Sequence, residues 1–83
     1  MSNSMGKYIR RRRLALNLTQ KYVSERLGFT TPQHLSNIET GRNALNPETA
    51  RKLAVILDLK YETIVSLAAR DFKRSYQKRL KNG

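Results

Sequence analysis

The sequence of residues 19–41 is TQKYVSERLGFTTPQHLSNIETG, and two glycines in it mark the ends of two short helices. The first helix, over residues 20–27, follows a threonine that is a suitable N-cap and precedes a glycine that is a suitable stop. The second, over residues 31–40, begins with threonine and proline. Proline loses no hydrogen bond at the first helical position. The stretch therefore predicts two helices joined by a glycine-bearing turn.

The second of these helices has an apolar face and a polar face. Leu35 and Ile38 recur at helical spacing and are expected to point inward. The outward side chains are all polar: Gln33, Ser36, Asn37 and Thr40. Two of them, Gln33 and Asn37, are amides four residues apart, and an amide can bond the N6 and N7 atoms of adenine. The pattern predicts a helix-turn-helix whose second helix reads base edges in the major groove. The alternative is that these outward side chains are ordinary solvated polar residues without a binding role.

Helical periodicity extends over the rest of the chain, with no alternating strand pattern longer than a few residues. A helix over residues 5–16 is expected to bury a face that includes Ile9, Arg13 and Leu16. An asparagine followed by proline begins a helix over residues 47–57, and a last helix is expected from residue 61 to about residue 81. The fourth helix is expected to bury Ala50, Leu53, Ala54 and Leu57. The sequence thus predicts an all-α domain of five helices.

The charge of the chain is strongly one-sided. Its 83 residues include 17 Lys and Arg against 6 Asp and Glu, which gives a net charge of +11 and a pI near 10.8. Residues 1–13 and residues 71–83 hold five positive charges each, whereas the residues between them are nearly neutral. A polyanion such as nucleic acid is therefore the expected partner.

The composition also argues against several classes of function. There is no cysteine and only one histidine, His34, so neither a metal nor another cofactor is expected. His34 itself is interpreted as a surface residue, with a base or phosphate contact as the alternative. No nucleophile has a base and no carboxylates pair, so we do not expect an enzyme. No apolar run approaches the ~18 residues of a membrane span. The expected location is the cytoplasm, in association with the nucleoid.

A wider pattern includes the residues quoted above. Its three runs are Ile9-x-x-x-Arg13 with Leu18-Thr19-Gln20-x-x-Val23-Ser24-x-x-Leu27-Gly28, then Leu35-Ser36-x-Ile38-Glu39-x-Gly41-Arg42, then Pro47-x-x-x-x-x-Leu53-Ala54-x-x-Leu57-x-Leu59. Together they resemble the xenobiotic-response-element helix-turn-helix family, which contains the phage lambda-type repressors and Cro proteins. The resemblance implies a five-helix lambda-repressor-like domain at residues 6–69. A flexible N-terminus would precede it at residues 1–5, and a basic amphipathic helical extension would follow at residues 70–83.

The resemblance also implies roles for individual residues. Arg13 and Glu39 match positions that form a buried ion pair between the first helix and the end of the third. Positions that contact DNA phosphates are matched by Gln20, Arg42 and Asn43. Arg10 is expected to contact phosphate too, with a solvated side chain as the alternative. The base-reading positions are matched by Gln33 and Asn37, with Ser36 and Thr40 facing the same groove.

Two features depart from the family pattern. The segment between Gly28 and Gly41 is one residue longer than usual, and we place the extra residue at Phe29 or Thr30. Residues 31–41 are then expected to keep their register, whereas the pattern does not determine the tilt of this helix in the groove. Pro32 stands where the family often has a polar residue, which removes one donor from the reading face.

The last helix is amphipathic beyond the domain that the family requires. At 100° per residue, one arc of this helix is apolar: Val65, Ala69, Phe72, Tyr76 and Leu80. We interpret Phe72, Tyr76 and Leu80 as possible dimer contacts. A fraying tail and a helix lying on a membrane surface are the alternatives.

The function expected from these features is transcription regulation by sequence-specific binding of double-stranded DNA. A homodimer would bind an inverted-repeat operator, with helix 31–40 in the major groove. Repression is the expected direction, controlled by abundance, by competition for sites or by a regulatory partner protein. The alternatives are an antitoxin-type autoregulator and a protein-interaction module that has kept the helix-turn-helix fold.

Overall fold

The computed structural model describes the backbone of residues 4–82 and the side chains of residues 4–73. Five helices follow one another along the chain: α1 (Ser4–Ala15), α2 (Gln20–Leu27), α3 (Pro32–Glu39), α4 (Pro47–Ile56) and α5 (Tyr61–Asn82). Residues 4–82 contain no strand. The prediction of an all-α, five-helix domain with a long last helix is therefore confirmed.

The two ends of α2 follow from local chemistry. Thr19 has an extended backbone, and its Oγ1 accepts a hydrogen bond from the Tyr22 N–H at 3.0 Å. This bond satisfies one of the N–H groups that a helix start leaves without a partner. At the other end Gly28 adopts a φ of 83°, and its N–H and that of Phe29 bond to carbonyls of the last turn. The predicted bounds of α2 are confirmed.

The starts of α3 and α4 share an N-terminal proline but differ in capping. Asn46 Oδ1 accepts the Thr49 N–H at 2.8 Å, which caps α4. Thr31 occupies the equivalent position before α3, but its side chain makes no capping bond. The first turn of α3 therefore lacks the side-chain stabilisation that α4 receives. Each helix also ends one residue earlier than predicted, with Thr40 and Leu57 as their C-caps.

A single apolar core holds the five helices together. Its buried side chains are Met5, Ile9, Val23, Leu27, Leu35, Ile38, Ala50, Leu53, Ala54, Leu57 and Ile64. The prediction that Leu16 shares the buried face of α1 is wrong, since this side chain is 38% exposed. Helix α1 ends at Ala15, and Asn17 then takes a positive φ of 59°, which turns the chain away. Met5, at the opposite end of α1, is buried in the core.

The N-terminus of α1 is closed by the last helix. The carboxylate of Asp71 accepts the Ser4 N–H at 3.0 Å and the Met5 N–H at 2.9 Å. A carboxylate is favourable there because a helix N-terminus has unpaired N–H groups and a partial positive charge. Ser4 and Met5 are thus the first residues of α1. From the sequence, both were expected in a flexible N-terminus at residues 1–5. The first part of the segment 70–83 is bonded to the same folded body.

Candidate nucleic-acid interface

Helix α3 exposes the polar face that the sequence predicted for it. Gln33 and Thr40 are exposed, Ser36 and Asn37 are half-buried, and the opposite side is buried. The two amides lie together, with Gln33 Nε2 donating to Asn37 Oδ1 at 2.9 Å. Thr40 Oγ1 donates to the Ser36 carbonyl at 3.0 Å. The hydrogen of that hydroxyl is therefore bound to the helix backbone.

The C-terminal end of α3 is fixed to α1 by a bidentate ion pair. Arg13 Nε lies 2.7 Å from Glu39 Oε2, and Arg13 Nη2 lies 3.1 Å from Glu39 Oε1. The two side chains are only 8% and 1% exposed. Arg13 Nη1 also donates to the Leu18 carbonyl at 2.9 Å, in the segment between α1 and α2. One guanidinium thus holds the end of α3 and the approach to α2 in a single arrangement.

Gln20 joins this ion pair from the first residue of α2. Its Nε2 donates to Glu39 Oε1 at 3.1 Å, so α1, α2 and α3 meet at one carboxylate. The sequence placed Gln20 against a DNA phosphate, and its position at a helix N-terminus suits an anion. The amide nitrogen carries a second hydrogen beyond the one given to Glu39. The phosphate contact stays a prediction.

The arginines of α1 point in different directions. Arg12 Nε donates to the Leu57 carbonyl at 2.9 Å, and its Nη2 lies 3.8 Å from Asp58 Oδ2. Arg12 therefore caps the C-terminal end of α4. Arg10 is exposed and lies within about 60° of Arg13 around the helix, which places it on the side of α1 that faces α3. This position is compatible with the predicted phosphate contact of Arg10.

The loop after α3 folds back over the end of that helix. Gly41 takes a φ of 84°, and the N–H groups of Arg42 and Asn43 both bond to the Asn37 carbonyl, at 2.8 and 3.2 Å. Both side chains are exposed. The structure therefore places the two predicted phosphate-contacting residues of the loop directly beyond the polar face of α3.

Phe29, one of the two positions at which the sequence analysis places an extra turn residue, is packed. The ring of Phe29 stacks on the ring of His34, with centroids 3.9 Å apart and planes 14° from parallel. Phe29 is partly buried against the core, whereas His34 is exposed. The turn between α2 and α3 is thus joined to the first turn of α3 by an aromatic contact.

The residues interpreted as dimer contacts lie along α5. Phe72 is 72% exposed, and Val65 on the same arc is 42% exposed. The side chains of Tyr76 and Leu80 lie outside the described residues. The three described members of the arc, Val65, Ala69 and Phe72, therefore present apolar surface to solvent.

Three residues that hold this arrangement together were not identified from the sequence as contacts. Gly6 lies against the end of α3, because a Cβ built on it would fall 2.3 Å from the Glu39 carbonyl oxygen. Arg12 and Asp71 cap helix ends that are distant in the chain. The sequence contains two signals of such contacts. A glycine inside a helical pattern often marks a close approach to another part of the chain. Asp71 is the one acidic residue in the basic segment 71–83.

The described part of the chain lacks the residue groupings that a metal site or a membrane span requires. No group of three or more His, Cys, Asp or Glu side chains there could hold a metal ion. None of the described helices has both the length and the apolar character that crossing a membrane requires.

Comparisons with known proteins agree with this geometry. The crystal structure of the clp gene regulator ClgR from Corynebacterium glutamicum is similar over 96% of this chain and 85% of that one, with 21% sequence identity and a TM-score of 0.71. At that identity, the likeness concerns the fold. No curated protein gives a significant match. Residues 9–64, more than half of the chain, match the Helix-turn-helix family. The chain therefore belongs to the helix-turn-helix family, whose class of function is DNA-binding transcription regulation.

Proposed function

We propose that this protein regulates transcription by reading a specific duplex DNA sequence in the major groove with α3. The observation that carries the proposal is the bonded pair of amides, the exposed Gln33 and the half-buried Asn37, on a helix whose far end is fixed by Arg13 and Glu39. Amides offer a donor and an acceptor to base edges, and fixing the helix sets where they point. The helix-turn-helix family and the net charge of +11 support the same partner.

The phosphate contacts proposed for this complex surround the polar face of α3. Arg42 and Asn43 follow α3 directly, Gln20 begins α2, and Arg10 lies on the α3 side of α1. Contacts to phosphates fix the position of a protein on the duplex without reading its sequence. We propose that these four residues position the protein while the face of α3 selects the site, with Ser36 and Thr40 beside the amides.

Substitutions at Gln33 and Arg42 separate reading from positioning. Gln33→Ala is expected to cost about 1–3 kcal/mol on the preferred duplex and to relax the choice at one base pair. Arg42→Ala is expected to weaken binding to preferred and random duplexes alike, and to reduce the slope of log affinity against log salt by about one unit. Titrations of both duplexes at several salt concentrations measure these effects. Equal losses on both duplexes with Gln33→Ala would contradict the assignment of the reading face.

We further propose that the protein binds as a homodimer on an inverted repeat. The exposed apolar surface at Val65 and Phe72 supports this, and Tyr76 and Leu80 continue the same arc in the sequence. Two-fold pairing of readers places half-site centres about 34–36 Å apart, one helical turn of DNA. Linking two readers also raises affinity without any new DNA contact.

A pair of variants tests the dimer interface against the charge of α5. Phe72→Ala combined with Tyr76→Ala is expected to shift the protein toward monomer in sedimentation velocity, because apolar contact area is lost at unchanged charge. Replacing Lys73, Arg74 and Lys78 with glutamine is the control. It is expected to lower affinity for all DNA and to leave the dimer intact. If the aromatic variant is as dimeric as the parent, the interface lies elsewhere.

The direction of regulation follows from the same proposal. A dimer that occupies its operator blocks a promoter that overlaps it, so we propose repression, as in the lambda-type repressors and Cro proteins that the sequence resembles. Control would come from the abundance of the protein or from a partner protein. Its place in the cell is then the cytoplasm, on the nucleoid.

A further inference from the structure

We propose that Asn37 is a positioning residue that orients the amide of Gln33, and that Gln33 is the side chain that selects adenine. This inference rests on the proposed function. The observation behind it is the hydrogen bond from Gln33 Nε2 to Asn37 Oδ1, 2.9 Å long. The bond makes the two amides one unit, so that the base choice of one depends on the other.

The direction of control follows from how firmly each residue is held. Asn37 is half-buried, and its backbone carbonyl accepts the N–H groups of Arg42 and Asn43. It also lies one turn or less from Glu39, which is locked to α1. Gln33 is exposed and lies in the first turn of α3, where Thr31 provides no side-chain cap. Asn37 therefore has the better-held backbone and the shorter side chain, and we infer that it orients the longer, more exposed side chain of Gln33.

The chemistry of the bond determines what Gln33 can read. A free glutamine amide can turn over, which exchanges its donor and acceptor. Once one N–H is bound to Asn37 Oδ1, the oxygen Oε1 and the second N–H of Gln33 have set positions. An acceptor beside a donor is the complement of adenine, which offers its N6 amine and its N7. Asn37 keeps Nδ2 as a donor toward a neighbouring base.

The local sequence adds a reason why this orientation matters. Pro32 provides no side-chain donor at the start of α3, so Gln33 is the first side chain of the helix that can bond a base. Gln33 must therefore be correctly oriented, since Pro32 beside it cannot make the same hydrogen bonds to a base. The ring of His34, on the same turn, is stacked on Phe29.

The test compares base choice among variants of the full chain. Dissociation constants are measured for a duplex selected from random DNA and for duplexes with each base pair of one half-site replaced in turn. Gln33→Ala is expected to lose a preference of about 5- to 150-fold at one A·T pair, the range for one bidentate contact. Asn37→Ala is expected to reduce the preference at that same pair. The double variant should lose no more there than Gln33→Ala alone.

Asn37→Asp separates positioning from direct reading. Aspartate keeps the acceptor that Gln33 bonds, loses the Nδ2 donor and adds a negative charge. We expect it to retain most of the preference at the Gln33 base pair while binding every duplex more weakly, because the carboxylate repels phosphates. Thermal melting of each variant serves as the control for folding.

Two outcomes would overturn this inference. If Gln33→Ala and Asn37→Ala each lose preference at a different base pair, and the losses add in the double variant, the two amides read independently. If Asn37→Asp loses the preference at the Gln33 pair as fully as Asn37→Ala, the bond does not orient Gln33. In both cases the proposed function stands, whereas a parent protein without any sequence preference would overturn both proposals.

Discussion

Arg13→Ala is expected to lower the free energy of unfolding by about 3–5 kcal/mol, the cost of leaving one partner of a buried ion pair uncompensated. The Glu39 side chain is 1% exposed, and without Arg13 its carboxylate keeps only the Gln20 amide among the side-chain donors described. Glu39 also ends α3, where the helix dipole disfavours a negative charge. Since domains are stable by only about 5–15 kcal/mol, urea denaturation followed by circular dichroism will show the loss clearly.

Two further variants make the Arg13 result specific. Arg11→Ala removes an exposed arginine from the same helix, and we expect a change within about 0.5 kcal/mol. Replacing both Arg13 with methionine and Glu39 with leucine should recover most of the stability, because an apolar pair can replace a buried ion pair at little cost. An Arg13→Ala protein as stable as Arg11→Ala would refute the role assigned to the pair.

Gly6→Ala is expected to destabilise the protein by about 3 kcal/mol or more, at or above the upper end of the usual overpacking range. A Cβ at this position would lie 2.3 Å from the Glu39 carbonyl oxygen, 2.7 Å from its carbonyl carbon and 2.8 Å from the Ile38 carbonyl oxygen. All three atoms belong to the backbone, so no side-chain rotation relieves the clash. Helix α1 must move away from α3, which strains the contact between Arg13 and Glu39.

The sign of the stability change caused by Gly6→Ala distinguishes a close contact between helices from ordinary helix propensity. In an uncrowded helix, alanine is favoured over glycine by about 0.5–1 kcal/mol, so helix propensity predicts a stabilised variant. Lys7→Ala, at the next and exposed position, is the matched control and should change stability little. A thermal melt in which Gly6→Ala unfolds at a higher temperature than the parent would show that α1 and α3 are not in such close contact.

The parts of the fold that were predictable from the sequence depend on local chemistry. The bounds of α2 follow from a threonine cap and a glycine in the left-handed region, which act on their own helix. The apolar spacing of Leu35 and Ile38 likewise fixed which side of α3 is buried. Such signals need only neighbouring residues.

The remaining features depend on contacts between residues distant in the chain. The bonds of Asp71 to Ser4 and Met5 span more than 60 residues, and a lone acidic residue in a basic segment does not indicate which helix end it caps. Leu16 and Met5 are both apolar, so their side chains alone do not show which of them is buried. Met5 is buried and Leu16 is exposed because α1 begins at Ser4 and ends at Ala15. At the candidate site, spacing put Gln33 and Asn37 on one face, while the bond between them depends on side-chain rotamers. The Arg13–Glu39 pairing came from the family resemblance, because an arginine on an apolar face does not identify its partner.

A selection of bound duplexes from a random pool determines whether α3 reads duplex DNA sequence-specifically. The parent chain is expected to enrich an inverted repeat whose half-site centres lie about 34–36 Å apart. The Gln33→Ala variant, selected in parallel, is expected to enrich the same repeat with one base pair per half-site no longer specified. If the parent chain enriches no common sequence, or one that Gln33→Ala selects equally well, α3 does not read DNA sequence through Gln33.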